Sequence, residues 1–191
     1  MENSHTYVVG KSGMGKSTFL ENAIFDEIEN DRAVFFIDPH GESAQRIADA
    51  LPRSLIHRSV YIDLSDYHYV GFNPLVNPLH VHTGLKSLWI DNWGPQSDYL
   101  LKYALLAVAE YGGTLADIIP MFTDAIHRNK VLATVRTTTV LKFWTKTFRE
   151  YERSKKEPYL PLINKIDAIN TSVIRHVLCQ CDTPSLISKS H

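Results

Sequence analysis

The spacing of apolar residues predicts short strands and two helices in the first part of the chain. The continuous apolar run Ala33–Ile37 is bounded by polar residues, which is typical of a buried strand in a parallel sheet. Tyr7–Val9 and Val60–Ile62 are shorter runs of β-forming residues. Residues 19–29 and 43–51 carry apolar side chains at helical spacing. The pattern therefore predicts an α/β fold with a partial parallel sheet and flanking helices.

From residue 84 onward, strand signals nearly vanish and apolar residues recur at helical spacing. Thr114 and Asp117 have the spacing of a capping box, which satisfies backbone amides at the start of a helix. The predicted helices cover residues 98–111, 139–153, 160–169 and 172–181. We therefore expect two domains, an α/β core over residues 1–83 and an all-helical subdomain over residues 84–191.

The histidine and tryptophan side chains of the middle region have structural explanations. Turn-forming residues surround His80 and His82 and predict a loop at both positions. Trp89, Trp93 and Trp144 sit among apolar neighbours. We therefore expect these three side chains in the core of the helical part, and not on a base-stacking surface.

Composition excludes several classes of protein. The chain of 191 residues is 44% hydrophobic and 21% charged, which are values typical of a soluble globular protein. No apolar run approaches the length of a membrane span, and the polar start Met1–His5 differs from a signal peptide. We therefore expect no membrane segment and a cytoplasmic location.

A glycine-rich stretch between the first predicted strand and the first predicted helix carries the clearest chemical signal. Gly10, Gly15, Lys16 and Ser17 match the phosphate-binding pattern G-x-x-x-x-G-K-[ST] in the strand–loop–helix context that this pattern requires. The alternative is a glycine-rich turn that binds nothing. We name this stretch the glycine loop and expect all of its residues to bind nucleotide: Gly10, Lys11, Ser12, Gly13, Met14, Gly15, Lys16, Ser17 and Thr18.

The residue types of the glycine loop fit the chemistry of a nucleoside triphosphate. Glycines allow backbone conformations that a Cβ would forbid and allow close approach to phosphate oxygens. The amides of residues 13–18 then form an anion-binding nest at a helix N-terminus. We expect Lys16 to bridge the β- and γ-phosphates, Ser17 to coordinate Mg²⁺, and Thr18 to bond the α-phosphate or to cap the helix.

Asp38 ends the apolar run Ala33–Ile37 and is a second candidate for the site. Ligands of parallel α/β sheets bind outside the carboxyl ends of the strands, which would place Asp38 near the phosphates. There it could hold Mg²⁺ through water, as a Walker B acid does, or order the attacking water. Asp-Pro and His-Gly are also turn sequences, so a structural turn is an equally supported interpretation.

Charge is unevenly distributed although the net charge is only −1. Residues 1–83 hold 6 Lys and Arg against 11 Asp and Glu, whereas residues 84–191 hold 14 against 10. The second part is therefore the more favourable one for a polyanion such as DNA, although ordinary solvated helix faces are the alternative. The candidate DNA contacts share one predicted helix face and are Lys142, Lys146, Arg149 and Arg153.

Together, these motifs resemble the HerA–FtsK class of P-loop motor ATPases, and within it the ATP-binding proteins similar to conjugative DNA-coupling proteins of type IV secretion. The glycine loop alone is common, whereas its combination with Asp-Pro-His-Gly-Glu is far more specific. The resemblance extends over nearly the whole chain. It is carried by His5–Thr18, Phe36–Glu42, Gly71–Leu75, Trp93–Pro95, Phe143–Trp144 and Pro161–Lys165.

The resemblance implies an oligomeric, usually hexameric, ATPase that uses ATP and Mg²⁺ to move DNA. It implies a P-loop α/β core that carries an inserted all-helical domain. It also implies phosphate-binding and catalytic roles for Lys16, Mg²⁺ coordination by Ser17, and an acid beside the nucleotide at Asp38. Such a motor would be cytoplasmic or would lie at the periphery of a membrane secretion complex.

The chain also departs from this class. Its members usually continue into strands after the helical part, and one of these strands ends in Asp-Glu, which binds Mg²⁺ and activates water. No apolar run after residue 84 ends in this way, and Gln96 stands where many members carry a basic residue. We therefore expect a portion of a motor, with slow or absent hydrolysis by this chain alone. The competing interpretations are a non-catalytic nucleotide-binding module that binds partner subunits and, with less support, a small-molecule kinase.

Overall fold

A computed structural model describes residues 5–63, 72–154, 156–169, 175 and 177–180. The chain divides into two compact units, Met1–Asp63 and Leu64–His191. Helix α3 (Pro78–Ser87) runs through residues 83 and 84, where the sequence pattern predicts the domain boundary.

The described residues of the first unit form two α-helices and one 3₁₀ helix. Helix α1 (Lys16–Glu29) follows the glycine loop directly, and helix α2 (Glu42–Ala50) follows the turn after Asp38. The 3₁₀ helix Arg53–Arg58 begins after Pro52, whose fixed φ suits the first position before a helical turn. Both α-helices match the helices predicted over residues 19–29 and 43–51 within a few residues.

The predicted α/β fold is wrong for the residues that the structure describes, because none of them forms a strand or a sheet. The segments Tyr7–Val9, Ala33–Ile37 and Val60–Ile62 share no ladder hydrogen bonds with one another or with any other described segment. Their side chains lie mostly in solvent, and Phe35 is 90% exposed. A β-forming composition reports a local preference only, and a strand also needs a neighbouring segment that completes its backbone hydrogen bonds.

Contacts between α1 and α2 position the glycine loop within the first unit. Arg46 on α2 donates from Nη2 to Glu21 Oε1 on α1 at 2.5 Å, and its Nε lies 3.2 Å from the same oxygen. The hydrogen bond from Arg46 is the main cause that lowers the pKa of Glu21. Arg46 also donates to Ser43 Oγ, so one guanidinium links both helices.

The second unit is built from helices alone within its described residues. Its elements are α3 (Pro78–Ser87), α4 (Pro95–Tyr111), α5 (Ile118–Thr123), α6 (Ala125–Leu132), α7 (Thr138–Lys142), α8 (Phe148–Arg153) and α9 (Leu160–Ile169), with 3₁₀ turns at Pro74–Val76, Ile90–Asn92 and Leu115–Asp117 and a π-helical turn at Phe143–Thr147. The helix predicted over residues 172–181 lies largely outside the described residues.

Helix α4 is the centre of the second unit. It begins at Pro95, three residues before the predicted start. Proline suits a first helical position, because it has no backbone N–H and the N–H groups of the first turn have no partner within the helix. Leu100, Leu101, Leu105 and Val108 are fully buried along it. Helices α3, α5, α6, α7 and α9 all pack against α4. The core of this unit therefore forms around one helix whose apolar residues are spaced as the sequence predicts.

The end of α4 is joined closely to the next helix. Gly112 has φ 76° and Gly113 donates its amide to Val108 O, which closes the helix with a left-handed glycine. Thr114 and Asp117 then form the predicted capping box, in which Asp117 Oδ2 accepts from the Thr114 amide at 2.8 Å. The capping box is confirmed, and it fixes the direction in which the chain leaves α4.

Arg128 on α6 is a buried charged residue with several partners. Its Nη1 donates to the carbonyl oxygens of Met121 at 2.9 Å and Phe122 at 3.3 Å, near the end of α5. Its Nη2 forms an ion pair with Glu152 on α8, and its guanidinium lies 4.8 Å from the centre of the Phe148 ring. Carbonyls in the last turn of a helix lack intrahelical partners, so Arg128 supplies donors that α5 itself does not have.

Two further predictions for the second unit need correction. His80 and His82 lie in α3 and not in a loop, because Asn77 caps this helix by accepting from the His80 amide and Pro78 occupies its first position. The tryptophans also differ among themselves, since Trp144 is buried in the core and half-buried Trp93 packs against it, whereas Trp89 is half-buried outside this cluster. Among the described residues, none of the helices is long and apolar enough to cross a membrane.

Candidate functional site: the glycine loop and the basic helix

The backbone of the glycine loop adopts conformations that require glycine at two positions. Gly13 and Gly15 have φ values of 80° and 79°, in the left-handed region that L residues rarely occupy. Met14 between them donates its amide to Lys11 O at 3.3 Å and closes a turn. The expected conformations are therefore confirmed for Gly13 and Gly15.

Gly10 does not share this requirement. Its φ lies outside the left-handed region, and an added Cβ would lie 3.6 Å from Lys16 Cγ, which is an ordinary van der Waals contact. The expectation that Gly10 needs a glycine-specific conformation is therefore wrong for this structure. The backbone of Gly10 lies beside the aliphatic part of the Lys16 side chain.

Lys16 is folded back onto its own loop. Its Nζ donates to Gly10 O at 2.8 Å and to Lys11 O at 2.9 Å. The side chain is half-buried, whereas the other residues of the loop are exposed. These two hydrogen bonds hold the ammonium group within the loop, which places a positive charge beside the backbone amides that follow.

The start of α1 leaves several backbone amides without acceptors. Gly15 precedes the helix, and no side chain caps it. The described residues provide no acceptor for the amides of Lys16, Ser17 and Thr18, and the first turn contains no Asp or Glu. Left-handed Gly15 next to helical Lys16 forms the kind of backbone concavity that binds anions. The helix dipole adds positive potential at the same place.

Mg²⁺ is the metal that the loop could hold, together with phosphate. The Ser17 hydroxyl is exposed on the first turn of α1, next to the unbonded amides. Mg²⁺ in phosphate complexes takes one or two protein ligands and fills its other positions with phosphate oxygens and water. The described residues contain no cluster of three or more His, Cys, Asp or Glu that could hold a metal ion by itself. Ser17 therefore fits a shared site and not an all-protein site.

Asp38 makes the contacts of a helix cap. Its Oδ1 accepts from the His40 amide at 3.0 Å, and its Oδ2 accepts from the amides of Ser43 at 2.9 Å and Ala44 at 3.2 Å in the first turn of α2. Left-handed Gly41 brings the chain round between them. The structure thus shows the contacts expected of the turn interpretation, and the role of Asp38 as a metal ligand or catalytic acid stays a prediction.

These contacts also determine the charge state of Asp38. Desolvation, the largest single influence, pushes its pKa upward, but hydrogen bonds from the amides of His40, Ala44 and Ser43 outweigh it and hold the pKa below the usual value. Asp38 is therefore a stable carboxylate near neutral pH. A carboxylate whose pKa is lowered in this way is a poor proton acceptor, which argues against general-base chemistry at this position.

The candidate DNA contacts lie on the helical run from α7 to α8, and we name them the basic face: Lys142, Lys146, Arg149 and Arg153. All four are exposed, and no carboxylate of the described residues forms an ion pair with them. The π-helical turn Phe143–Thr147 interrupts the predicted continuous α-helix. A π turn contains one residue more than an α turn, so it rotates Arg149 and Arg153 about the axis relative to Lys142. The four charges therefore spread over a broader surface than the sequence spacing predicts.

Sequence reasoning did not identify the contact between Glu21 and Arg46, which connects the helix after the loop to the helix that Asp38 caps. Its sequence signal is weak, because two opposite charges 25 positions apart carry no local pattern.

The chain matches no protein-family model, no curated protein and no solved structure.

Proposed function

We propose that the chain binds ATP·Mg²⁺ through the glycine loop and forms the nucleotide-binding portion of an ATPase that moves DNA. The observation that carries this proposal is the arrangement around Lys16. An ammonium group held by the Gly10 and Lys11 carbonyls lies beside a left-handed Gly15 and a helix start with unbonded amides. A triphosphate offers negative oxygens to the unbonded amides, and it offers the Lys16 ammonium charged acceptors in place of two neutral carbonyls.

Each residue of the loop has a distinct part in this binding. The amides of residues 16–18 donate hydrogen bonds to phosphate oxygens, and Gly13 and Gly15 allow the backbone to reach the shape that this requires. Lys16 exchanges its two carbonyl acceptors for phosphate oxygens, and its charge balances part of the triphosphate. The Ser17 hydroxyl coordinates Mg²⁺. Because the described residues form no sheet, the proposal depends on the loop and α1 and not on a sheet that supports them.

The DNA part of the proposal is supported by the second unit. The basic face presents exposed cations without acidic partners among the described residues. Such a face can follow a phosphate backbone without reading base edges. The resemblance to HerA–FtsK motors adds an oligomeric, hexameric assembly to the proposal, in which several copies would act on one DNA molecule.

Replacing Lys16 with alanine is expected to weaken ATP binding by about 10- to 150-fold, because a charge-assisted hydrogen bond contributes about 1.5–3 kcal/mol. The measurement is titration of the chain with a fluorescent ATP analogue in the presence of Mg²⁺. The substitution removes the ammonium group and keeps a residue of high helix propensity at the start of α1.

Arg53→Ala is the matched control for this titration. It removes one positive charge from an exposed position of the same unit, away from the glycine loop in sequence. We expect the affinity of this variant to stay within about twofold of the wild type, since exposed charges contribute little at physiological salt. Equal affinities of the wild type and Lys16→Ala would show that the loop is not a triphosphate site.

A second candidate function, nucleotide binding without turnover, is favoured by the contacts of Asp38. Its Oδ1 accepts a hydrogen bond from the His40 amide, and its Oδ2 accepts from the amides of Ser43 and Ala44 at the start of α2, which leaves this acid poorly suited to activate water. A module of this kind would act by binding partner subunits in a nucleotide-dependent way.

Steady-state hydrolysis separates the two functions. We expect the chain alone to hydrolyse ATP slowly or not at all. No apolar run after residue 84 ends in Asp-Glu, and the lack of a positioned general base typically lowers the rate by about 10²–10⁴-fold. Phosphate release is measured with and without DNA, and Asp38→Asn is compared with the wild type. Fast, DNA-stimulated turnover that Asp38→Asn abolishes would contradict this expectation and would assign the catalytic acid to Asp38.

A further inference from the structure

An open cleft lies at the start of α4 in the second unit. Its volume is about 360 Å³, which is near the lower end of the range of small-molecule binding sites. We name it the Trp93 cleft, and its lining residues are Lys86, Trp93, Pro95, Asp98, Tyr99 and Lys102. Two aromatic rings and two ammonium groups therefore face one concave surface.

The aromatic rings of the Trp93 cleft are held in place by neighbouring side chains. Trp93 donates its Nε1 proton to Asp98 Oδ1 at 2.9 Å, and its ring stacks on Trp89 at a centroid distance of 6.3 Å. Tyr99 makes edge contacts with the rings of Tyr103 and Phe143, yet 43% of its surface remains exposed. Rings that are fixed in this way lose little entropy when a planar group stacks on them.

The charge of the Trp93 cleft is positive despite its carboxylate. Lys86 Nζ lies 2.9 Å from Asp98 Oδ1, and His82 Nε2 lies 3.1 Å from the Asp98 carbonyl oxygen. Desolvation raises the pKa of Asp98, but the hydrogen bonds from Lys86 and Trp93 outweigh it and keep this carboxyl ionised. Lys102 is exposed and forms no ion pair within the described part of the chain. One cation of the cleft is therefore available to an anionic ligand.

We propose that the Trp93 cleft binds single-stranded nucleic acid, with a base stacked on Tyr99 or Trp93 and a neighbouring phosphate held by Lys102. This inference rests on the proposed function, because it gives the nucleic-acid partner a strandedness and a place on the helical unit. Bases of a duplex are stacked inside it and cannot lie on a protein ring, whereas bases of a single strand can. The pairing of aromatic rings with a cation therefore favours a single strand over a duplex.

The surface beside the Trp93 cleft supports a longer strand. The Tyr99 ring lies 5.2 Å from the ring of Phe143, which directly follows Lys142 in the chain. The cleft therefore lies beside the helical run that carries the basic face. Successive phosphates of a strand could follow from Lys102 towards Lys142 and Lys146, since proteins without sequence preference track the backbone in this way.

The test is fluorescence anisotropy with a labelled oligodeoxythymidine of about 15 nucleotides, long enough for one or two binding modules. A blunt duplex of equal length is the comparison ligand. Tyr99→Ala is expected to weaken binding of the single strand by roughly 5- to 150-fold, which is the effect of losing one stacked base. Lys102→Glu, at an exposed position that does not disturb the core, is expected to weaken binding and to reduce the salt slope of log affinity by about 0.7.

Lys130→Glu is the matched control. It makes the same charge change near the C-terminal end of α4, where Lys130 on α6 lies over the ring of Tyr111. Nine residue steps along α4 separate Lys102 from Tyr111, which is about 14 Å along the helix axis. Binding of the strand is also expected to quench tryptophan fluorescence in the wild type, and Trp93→Phe is expected to remove most of this quenching. Circular dichroism of each variant establishes that its helices are intact.

The outcomes separate the cleft from the proposed function. Loss of single-strand affinity in Tyr99→Ala and Lys102→Glu, with Lys130→Glu unchanged, supports the cleft. Equal affinity in all of these variants overturns the cleft and leaves DNA binding to the basic face. Tighter binding of the duplex than of the single strand also overturns it. Absence of binding to either ligand, while the fluorescent ATP analogue still binds, overturns both the cleft and the DNA part of the proposed function and leaves the role of the loop intact.

Discussion

Replacing Arg128 with methionine is expected to lower the free energy of unfolding of the second unit by about 3 kcal/mol. Methionine keeps most of the apolar stem that packs on Phe148, but it removes the donors to Met121 O and Phe122 O and the ion pair with Glu152. Each buried acceptor left without a donor costs about 1–3 kcal/mol. Glu152 is 44% exposed, so water can solvate its freed charge and the loss stays below that of a fully buried pair.

Urea unfolding monitored by tryptophan fluorescence measures this loss in the second unit alone, because Trp89, Trp93 and Trp144 all belong to it. Arg136→Ala is the control, since it removes an arginine from an exposed position of the same unit and should change stability by less than about 0.5 kcal/mol. A loss in Arg128→Met no larger than that of the control would mean that water satisfies the α5 carbonyls without Arg128.

Gly113→Ala is expected to destabilise the second unit by about 2–4 kcal/mol. An added Cβ would lie 2.8 Å from Asp117 Oδ2 and 2.9 Å from Val108 Cγ1. Val108 is fully buried and cannot move away without disturbing the core. Asp117 would have to leave the capping box, whose loss costs about 1 kcal/mol more. The same urea titration measures the change in the unfolding midpoint.

Gly84→Ala provides a control of opposite sign. Gly84 lies inside α3, and an added Cβ would meet no atom within 4 Å. Alanine should therefore stabilise this helix by about 0.5–1 kcal/mol through its better helix propensity. The prediction for Gly113 fails if Gly113→Ala leaves the unfolding midpoint unchanged or raises it in the way expected of Gly84→Ala.

Helices could be predicted from the sequence wherever their stabilising contacts are local or follow from periodicity. Helix α9 has the predicted bounds of 160–169, and the Thr114–Asp117 capping box forms as its spacing predicts. Helix α3 was not predicted because its histidines and glycine give no clear apolar stripe. Its start is instead defined by Asn77 and Pro78, which are equally common in turns.

Strands could not be predicted reliably, because their existence depends on partners distant in sequence. Ala33–Ile37 has the composition of a buried strand, but no described segment pairs with it. The candidate site shows the same division. The need for glycine at positions 13 and 15 and the turn contacts of Asp38 follow from local patterns, whereas the contact between Glu21 and Arg46 joins positions 25 apart. The π-helical turn within the basic face likewise leaves no local signature.

The uneven burial of the two units has a consequence for ligand binding. In the first unit, the described residues that are buried are Ser43 and Ile47, and α1 buries none of its side chains. Regions with so few buried contacts open locally at low free energy, and their amide hydrogens exchange with solvent long before those of a packed helix such as α4. A nucleotide that orders the glycine loop must therefore offset the conformational entropy of α1 as well as bind, and its observed affinity will be weaker than its contacts alone would give.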